Sequence, residues 1–224
     1  MMKRGYNRGF TLIEVAIVLV IIGLLLAGVL KGQELINNAK AKVYSTDFRN
    51  IPIMLHAYQD RFKALPGDDA QVTIHLPGAT LATTPAGTVG NGVINGTWDT
   101  NTDSDESCLF WQHVRLAGLA PGSTSASCAP GSNYLPQNTN GGQVGIQSNI
   151  GFTTMTGTMS GSYIICSKNI PGNFVLELDA MLDDGNPATG SVRAIRASNA
   201  GGAPDTVASV QANPADSFIV CMSL

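Results

Sequence analysis

From Phe10 to Leu30 the chain runs 21 residues with a single charge, Glu14. Wound as a helix at about 1.5 Å per residue, the run is roughly 31 Å long. That matches a hydrocarbon core of about 30 Å. It predicts a membrane-spanning helix with one carboxylate near its start. Lys3, Arg4 and Arg8 form a basic head before it. An ordinary secretory signal has an apolar region of only about 7 to 15 residues, and a Glu inside it is unfavourable. Ala27-Gly28 is a weak cleavage site for such a signal, and the lack of any cysteine before Cys108 excludes a lipoprotein signal. A carboxylate inside a span costs about 2.5 kcal/mol or more and marks a function with a partner charge nearby. The plain alternative for Glu14 is a helix-end glutamate at headgroup level.

The segment Arg8-Gly9-Phe10-Thr11-Leu12-Ile13-Glu14-Val15 resembles the processing site of type IV prepilins and of type II secretion pseudopilins. The resemblance is close from Lys3 to about Leu30 and loose beyond. It implies that prepilin peptidase cuts after Gly9, that the same enzyme methylates the new amino terminus at Phe10, and that the mature chain polymerises through its apolar helix. Glu14 would pair with the Phe10 amine of a neighbouring subunit. Each charge alone is costly in apolar surroundings, and pairing offsets part of that cost while fixing axial register. The implied fold is α+β: a long amino-terminal helix, part transmembrane and part amphipathic, packed on an antiparallel sheet. The chain then divides into a leader (1–9), a transmembrane and polymerisation helix (10–30), an amphipathic continuation (31–64) and a β-rich head (65–224).

Charge narrows the partners. The full chain carries −3, and without the leader's three cations it carries −6. From Leu65 onward four cations (Arg115, Lys168, Arg193, Arg196) face twelve acids, a net −8. Such a head repels phosphate backbones, which argues against DNA binding by it. Lys31, Lys40, Lys42 and Arg49 beyond the span nearly balance the three cations before it, and cation density favours the short amino-terminal side as cytoplasmic. The cysteines and the resemblance place the head outside the cytoplasm. The expected location is the bacterial inner membrane, and then an extracellular or periplasmic filament.

Beyond Lys31 the helix is expected to continue, with Leu35, Ile36, Ala39, Val43, Phe48, Ile51, Leu55, Tyr58 and Phe62 at helical spacing. Pro52 removes one backbone donor and should kink or break it. Leu65-Pro66-Gly67-Asp68-Asp69 ends the stem, and the turn-rich stretch after it resembles the segment that follows the long helix in many pilin-like proteins. Short strands are expected at Val72–Ile74 and Val93–Ile94. Asp103 and Glu106 read as a capping box for a helix over Ser107–Ala117, with Gly118 after it and His113 as a surface or half-buried side chain. Strands are expected at Gln143–Ile146, Gly151–Met155, Ser162–Cys166, Ser191–Ala197 and Ser217–Cys221, and a helix at Phe174–Leu182.

The search for chemistry is thin. Asp99, Asn101, Asp103 and Asp105 alternate, but Ser104 and Phe110 stand where an EF-hand needs Gly and Glu. Some pseudopilins bind calcium near their carboxy-terminal loops, and Glu177, Asp179, Asp183 and Asp184 are the weak candidates here. Solvated helix acids and a turn are the preferred reading. Cys108, Cys128, Cys166 and Cys221 contain no C-x-x-C, so zinc and thioredoxin-like roles lack support. An even number in an exported head suggests disulfides. Three connectivities are possible, and Cys108–Cys128 with Cys166–Cys221 is favoured, the second resembling the carboxy-terminal disulfide loop of many pilins. There is no G-x-S-x-G, Walker loop, H-E-x-x-H or G-x-G-x-x-G, and His56, His75 and His113 share no ligand spacing.

No cofactor and no enzymatic activity are expected. The sequence points to a structural subunit of a type IV pilus-like filament. Its partners would be its own copies and other pilins, prepilin peptidase, inner-membrane lipid before assembly and, indirectly, an assembly platform and a motor ATPase. A type II secretion pseudopilin is the neighbouring alternative. A minor tip subunit acting as an adhesin or uptake module, with Trp98 and the Gly/Asn-rich loops as its only hint, is the alternative of another class.

Overall fold

The computed structural model describes residues 11–224. It contains two compact units, one ending at Lys40 and one running Ala41–Leu224. Helix α1 (Leu12–Phe62) supplies all of the described helix in the first unit and one wall of the second. The helix runs through Pro52 without the break expected there. In the second unit Ala41, Tyr44, Phe48, Ile51, Leu55 and Tyr58 are buried, a stripe at three- and four-residue spacing. Leu35, Ile36 and Val43, expected to join that stripe, are exposed.

The rest of the second unit is built from α2 (Val72–His75), α3 (Glu106–Leu116), β1 (Val144–Ser148), β2 (Tyr163–Pro171), α4 (Gly172–Leu182), β3 (Val192–Arg196), α5 (Val207–Ala212) and β4 (Ser217–Ser223). The strands form one antiparallel sheet in the order β1-β2-β4-β3. The fold is α+β. Side chains alternate across the sheet with period two. Ile165, Ile170, Val192, Ala194, Phe218, Val220 and Met222 join the core under α1, α3 and α4. Ile164, Cys166, Ile195, Ile219 and Cys221 face the other way, under Trp98, Met155 and Met159. Because both faces are covered, Tyr163–Cys166 of β2 and Phe218–Met222 of β4 read as unbroken apolar runs rather than alternating ones.

Both sheet edges are also covered. Along β1, Ser148 N donates to Ile94 O and Ile94 N to Ser148 Oγ. A Cβ at Gly145 would run into the Trp98 carbonyl, so this close approach requires glycine. Along β3, Ala194 N donates to Pro187 O and Asp205 N to Ala194 O. The strand expected at Gly151–Met155 is therefore a cover over the sheet's second face, since no edge is left for it to pair with.

Two local expectations fail because of what an acidic side chain bonds to. At Val72–Ile74 a helix forms instead of a strand, because Asp69 Oδ1 accepts Gln71 N and starts a turn. The Asp103–Glu106 capping box does not form: Asp105 is the N-cap of α3, without a side-chain cap bond. Asp103 Oδ1 instead accepts Cys128 N, and Glu106, wholly buried, accepts from Asn95 N, Asn95 Nδ2 and Thr88 Oγ1. Asp68 likewise takes the N–H groups of Gly90, Asn91 and Gly92. Buried carboxylates are tolerable only when so satisfied.

His113 is fully buried rather than superficial. Its Nδ1 accepts from Gly67 N at 2.9 Å, which puts the proton on Nε2, 2.9 Å from Thr80 O. Burial holds the imidazole below its usual pKa. The sign follows: a group kept neutral in the fold contributes stability above the ordinary imidazole value of about 6.5 and loses it as pH falls below that value. Thermal unfolding of the full chain in detergent is expected to show this loss on acidification, and His113→Gln to reduce it.

Two disulfides are present, Cys108–Cys128 and Cys166–Cys221, separated by 20 and 55 residues. By chain entropy the shorter loop contributes about 3 kcal/mol and the longer about 4 kcal/mol. Replacing Cys166 and Cys221 together by Ala is thus expected to lower stability more than replacing Cys108 and Cys128, measured by denaturant unfolding of the full chain.

Candidate functional site

The described amino-terminal segment is helical from Leu12 and wholly apolar to Leu30 apart from Glu14 and small residues. Its large side chains are exposed: Leu12 at 89%, Leu24 at 71% and Leu30 at 68% mark its two ends and its middle. An apolar surface this long and continuous marks a site covered by lipid or by other protein.

Thr11 and Glu14 close the start of the helix on themselves. Thr11 N and Thr11 Oγ1 donate to Glu14 Oε2 at 2.8 and 2.7 Å, and Glu14 N donates to Thr11 Oγ1 at 3.3 Å. This reciprocal pattern is a capping box. Its signal in the sequence is the Thr-x-x-Glu spacing of Thr11 and Glu14. Gly9 and Phe10, the expected cleavage and methylation positions, lie outside the described residues.

The remaining expected site residues are in the second unit. Both disulfides are buried, one at α3 and one across the β2–β4 pair, where Cys166 sits directly opposite Cys221. Asp99, Asp103 and Asp105 do not converge; Asp105 accepts from Thr84 Oγ1 and Thr100 Oγ1. Asp183 and Asp184 do come together with Asp179, offering carboxylate oxygens within 4.8 Å of one another, and Glu177 is outside that group. Trp98 is buried, its Nε1 donating to Thr154 Oγ1 at 2.8 Å, which removes the hint it gave of a binding surface.

One constellation was not foreseen. Asp69 Oδ2 accepts from Tyr58 Oη at 2.8 Å and lies 2.6 Å from His75 Nδ1, beside an open groove of about 660 Å³. An Asp–His pair suggests nucleophile activation only if a nucleophile bonds the other ring nitrogen. Among the described residues no Ser, Thr or Cys hydrogen-bonds to His75. With Phe62 stacked on the ring, the group ties α2 to the end of α1.

Residues 4–30 match the family model for the prokaryotic N-terminal methylation motif. No curated protein and no solved structure matches the chain. An apolar helix long enough to span a bilayer, a Glu close to its start and this motif coincide over the same residues. Through its amino-terminal segment the chain carries the signature of type IV pilins and pseudopilins.

Proposed function

We propose that the chain is a structural subunit of a type IV pilus-like filament, processed between Gly9 and Phe10 and assembled through α1. The observation that carries this reading is the exposed apolar surface of Leu12–Leu30 beneath the methylation motif. In the bilayer that surface faces lipid; in the fibre it faces the same surface of other copies. The exchange is nearly neutral in hydrophobic terms, because lipid tails are as apolar as leucine. Selection between the two states then falls to polar groups, and Glu14 is the only charged one in the span.

Glu14 has two uses in this reading. In the single subunit Thr11 satisfies part of its bonding capacity. In the fibre it takes the Phe10 amine of a neighbour, a pairing that strengthens in apolar surroundings. The covered sheet edges favour this route, since a sheet with no free edge does not grow by strand addition. A short secretion fibre uses the same amino-terminal chemistry, so the reading includes a pseudopilin role, and the abundance of the chain in sheared fibres separates a major subunit from a minor one.

Intact and amino-terminal mass spectrometry on membrane and sheared-fibre fractions is expected to find a chain starting at methylated Phe10. A start at Met1, or near Gly28, would overturn the processing. Glu14→Ala is expected to leave cleavage largely intact and to reduce fibre yield at least tenfold, read by immunoblot of sheared material. Normal yield from this variant would remove the pairing role.

A further inference from the structure

Four junctions in the chain place Asn or Asp directly before Gly: Asn91-Gly92, Asn95-Gly96, Asn140-Gly141 and Asp184-Gly185. Such a junction is chemically weak because glycine has no Cβ to shield its backbone nitrogen. That nitrogen can attack the side-chain carbonyl carbon of the residue before it and close a five-membered imide. A fold slows the attack by holding the glycine N–H in a hydrogen bond, which must break first.

The fold does this at three of the four junctions. Gly92 N donates to Asp68 Oδ2 at 2.7 Å, Gly141 N to Asn138 O at 2.9 Å and Gly185 N to Asp179 Oδ1 at 2.7 Å. Gly96 N has no acceptor among the described residues. The side chains do not make this distinction, because all three Asn carboxamides are engaged. Asn91 Oδ1 accepts Val93 N, Asn140 Nδ2 donates to Asn169 O, and Asn95 Nδ2 donates to Val93 O and Glu106 Oε2. The freedom of the attacking nitrogen is what separates them. Asn95 and Gly96 are both partly exposed, so water reaches the junction.

Glycine is also required at position 96. Its φ is +91°, and a Cβ there would lie 2.6 Å from Ser107 Oγ and 2.9 Å from Asp105 Oδ2, at the start of α3. The packing against α3 thus demands the one residue type that leaves Asn95 open to attack.

We propose that Asn95 is a site of spontaneous covalent modification, converting through a cyclic imide with Gly96 to aspartate and isoaspartate. Gly96 N gives its proton to hydroxide and bonds to Asn95 Cγ. The Cγ–Nδ2 bond breaks, and the nitrogen leaves as ammonia with its added proton from water. Water then opens the imide. Opening at Cγ gives aspartate, and opening at the backbone carbonyl carbon of residue 95 gives isoaspartate, with the chain running through the side chain. Nothing is oxidised or reduced, and water is the only co-reactant. Either product removes the Nδ2 donor and sets a second carboxylate against Glu106, which already accepts Asn95 N at 2.7 Å. Isoaspartate also lengthens the backbone by one carbon between Gly96 and Ile94, whose N and O bond to Ser148 of β1. The modification therefore loosens the cover of the β1 edge.

The test holds the full chain at neutral pH in detergent, with a parallel sample unfolded in guanidinium chloride. Peptides spanning each Asn-Gly junction are followed by mass spectrometry for replacement of NH2 by OH, and isoaspartate is identified by electron-transfer fragmentation. The folded chain is expected to convert Asn95 about tenfold faster than Asn91 or Asn140, and the unfolded chain to convert all three at similar rates. Asn95 still intact in the folded chain after the unfolded chain has converted would overturn the proposal. So would faster conversion of Asn91 or Asn140 in the folded chain. Asn95→Asp is expected to lower hydrogen-exchange protection of the peptide covering 144–148 about tenfold. Unchanged protection in that variant would remove the loosening of the β1 edge.

Discussion

Water does not tolerate a continuous apolar helix, and everything else about this chain is arranged around that fact. The side chains of Leu12–Leu30 are exposed, and each Leu, Ile or Val left in water forgoes about 1.5–3 kcal/mol relative to burial. The chain therefore has two acceptable environments for this segment, lipid and other apolar helices, and no third. A segment that is equally content in either moves between them without a large hydrophobic barrier. The capping box of Thr11 and Glu14 fits that picture, because it lets the only carboxylate in the span enter apolar surroundings with two of its acceptor positions filled.

The globular unit complements the helix by being closed. Its sheet is covered on both faces and along both edges, and its buried acids are occupied by the backbone of its own loops. Asp68, Asp69 and Glu106 are the internal ligands of the glycine-rich stretch that follows α1, where a less acidic sequence would need bound water or an ion to order the same N–H groups. A net charge of −8 in this region is thus partly internal wiring and only partly surface.

That division explains what could be read from the sequence. α1, α4, β2 and β4 were legible because burial imposes a period, and a period survives in the order of the residues. The capping of α3 was misread because Asp103 and Glu106 have the right spacing for a local bond and use it for distant ones, to Cys128 and Asn95. His113 looked superficial because its partners, Gly67 and Thr80, lie 46 and 33 residues away. At the amino terminus the Thr-x-x-Glu spacing is visible in the sequence, and the structure adds that Thr11 and Glu14 bond to each other within the chain. The crowding of Asp179 with Asp183 and Asp184 was visible as composition. The unbonded N–H of Gly96 was not visible, since only the fold decides which donors go without acceptors.

The Cys166–Cys221 bridge joins the two central strands of the sheet and encloses α4, β3 and α5 between its ends. If the chain is pulled from its helix, the covalent path passes through the bridge and bypasses that loop. At about 3.5 Å per extended residue, some 190 Å of contour stays out of the load path. Tension can peel the segments outside the bridge but cannot draw out the polypeptide within it. The bridged part of the chain is therefore a short-extension element: under force it holds on covalent bonds instead of paying out its length.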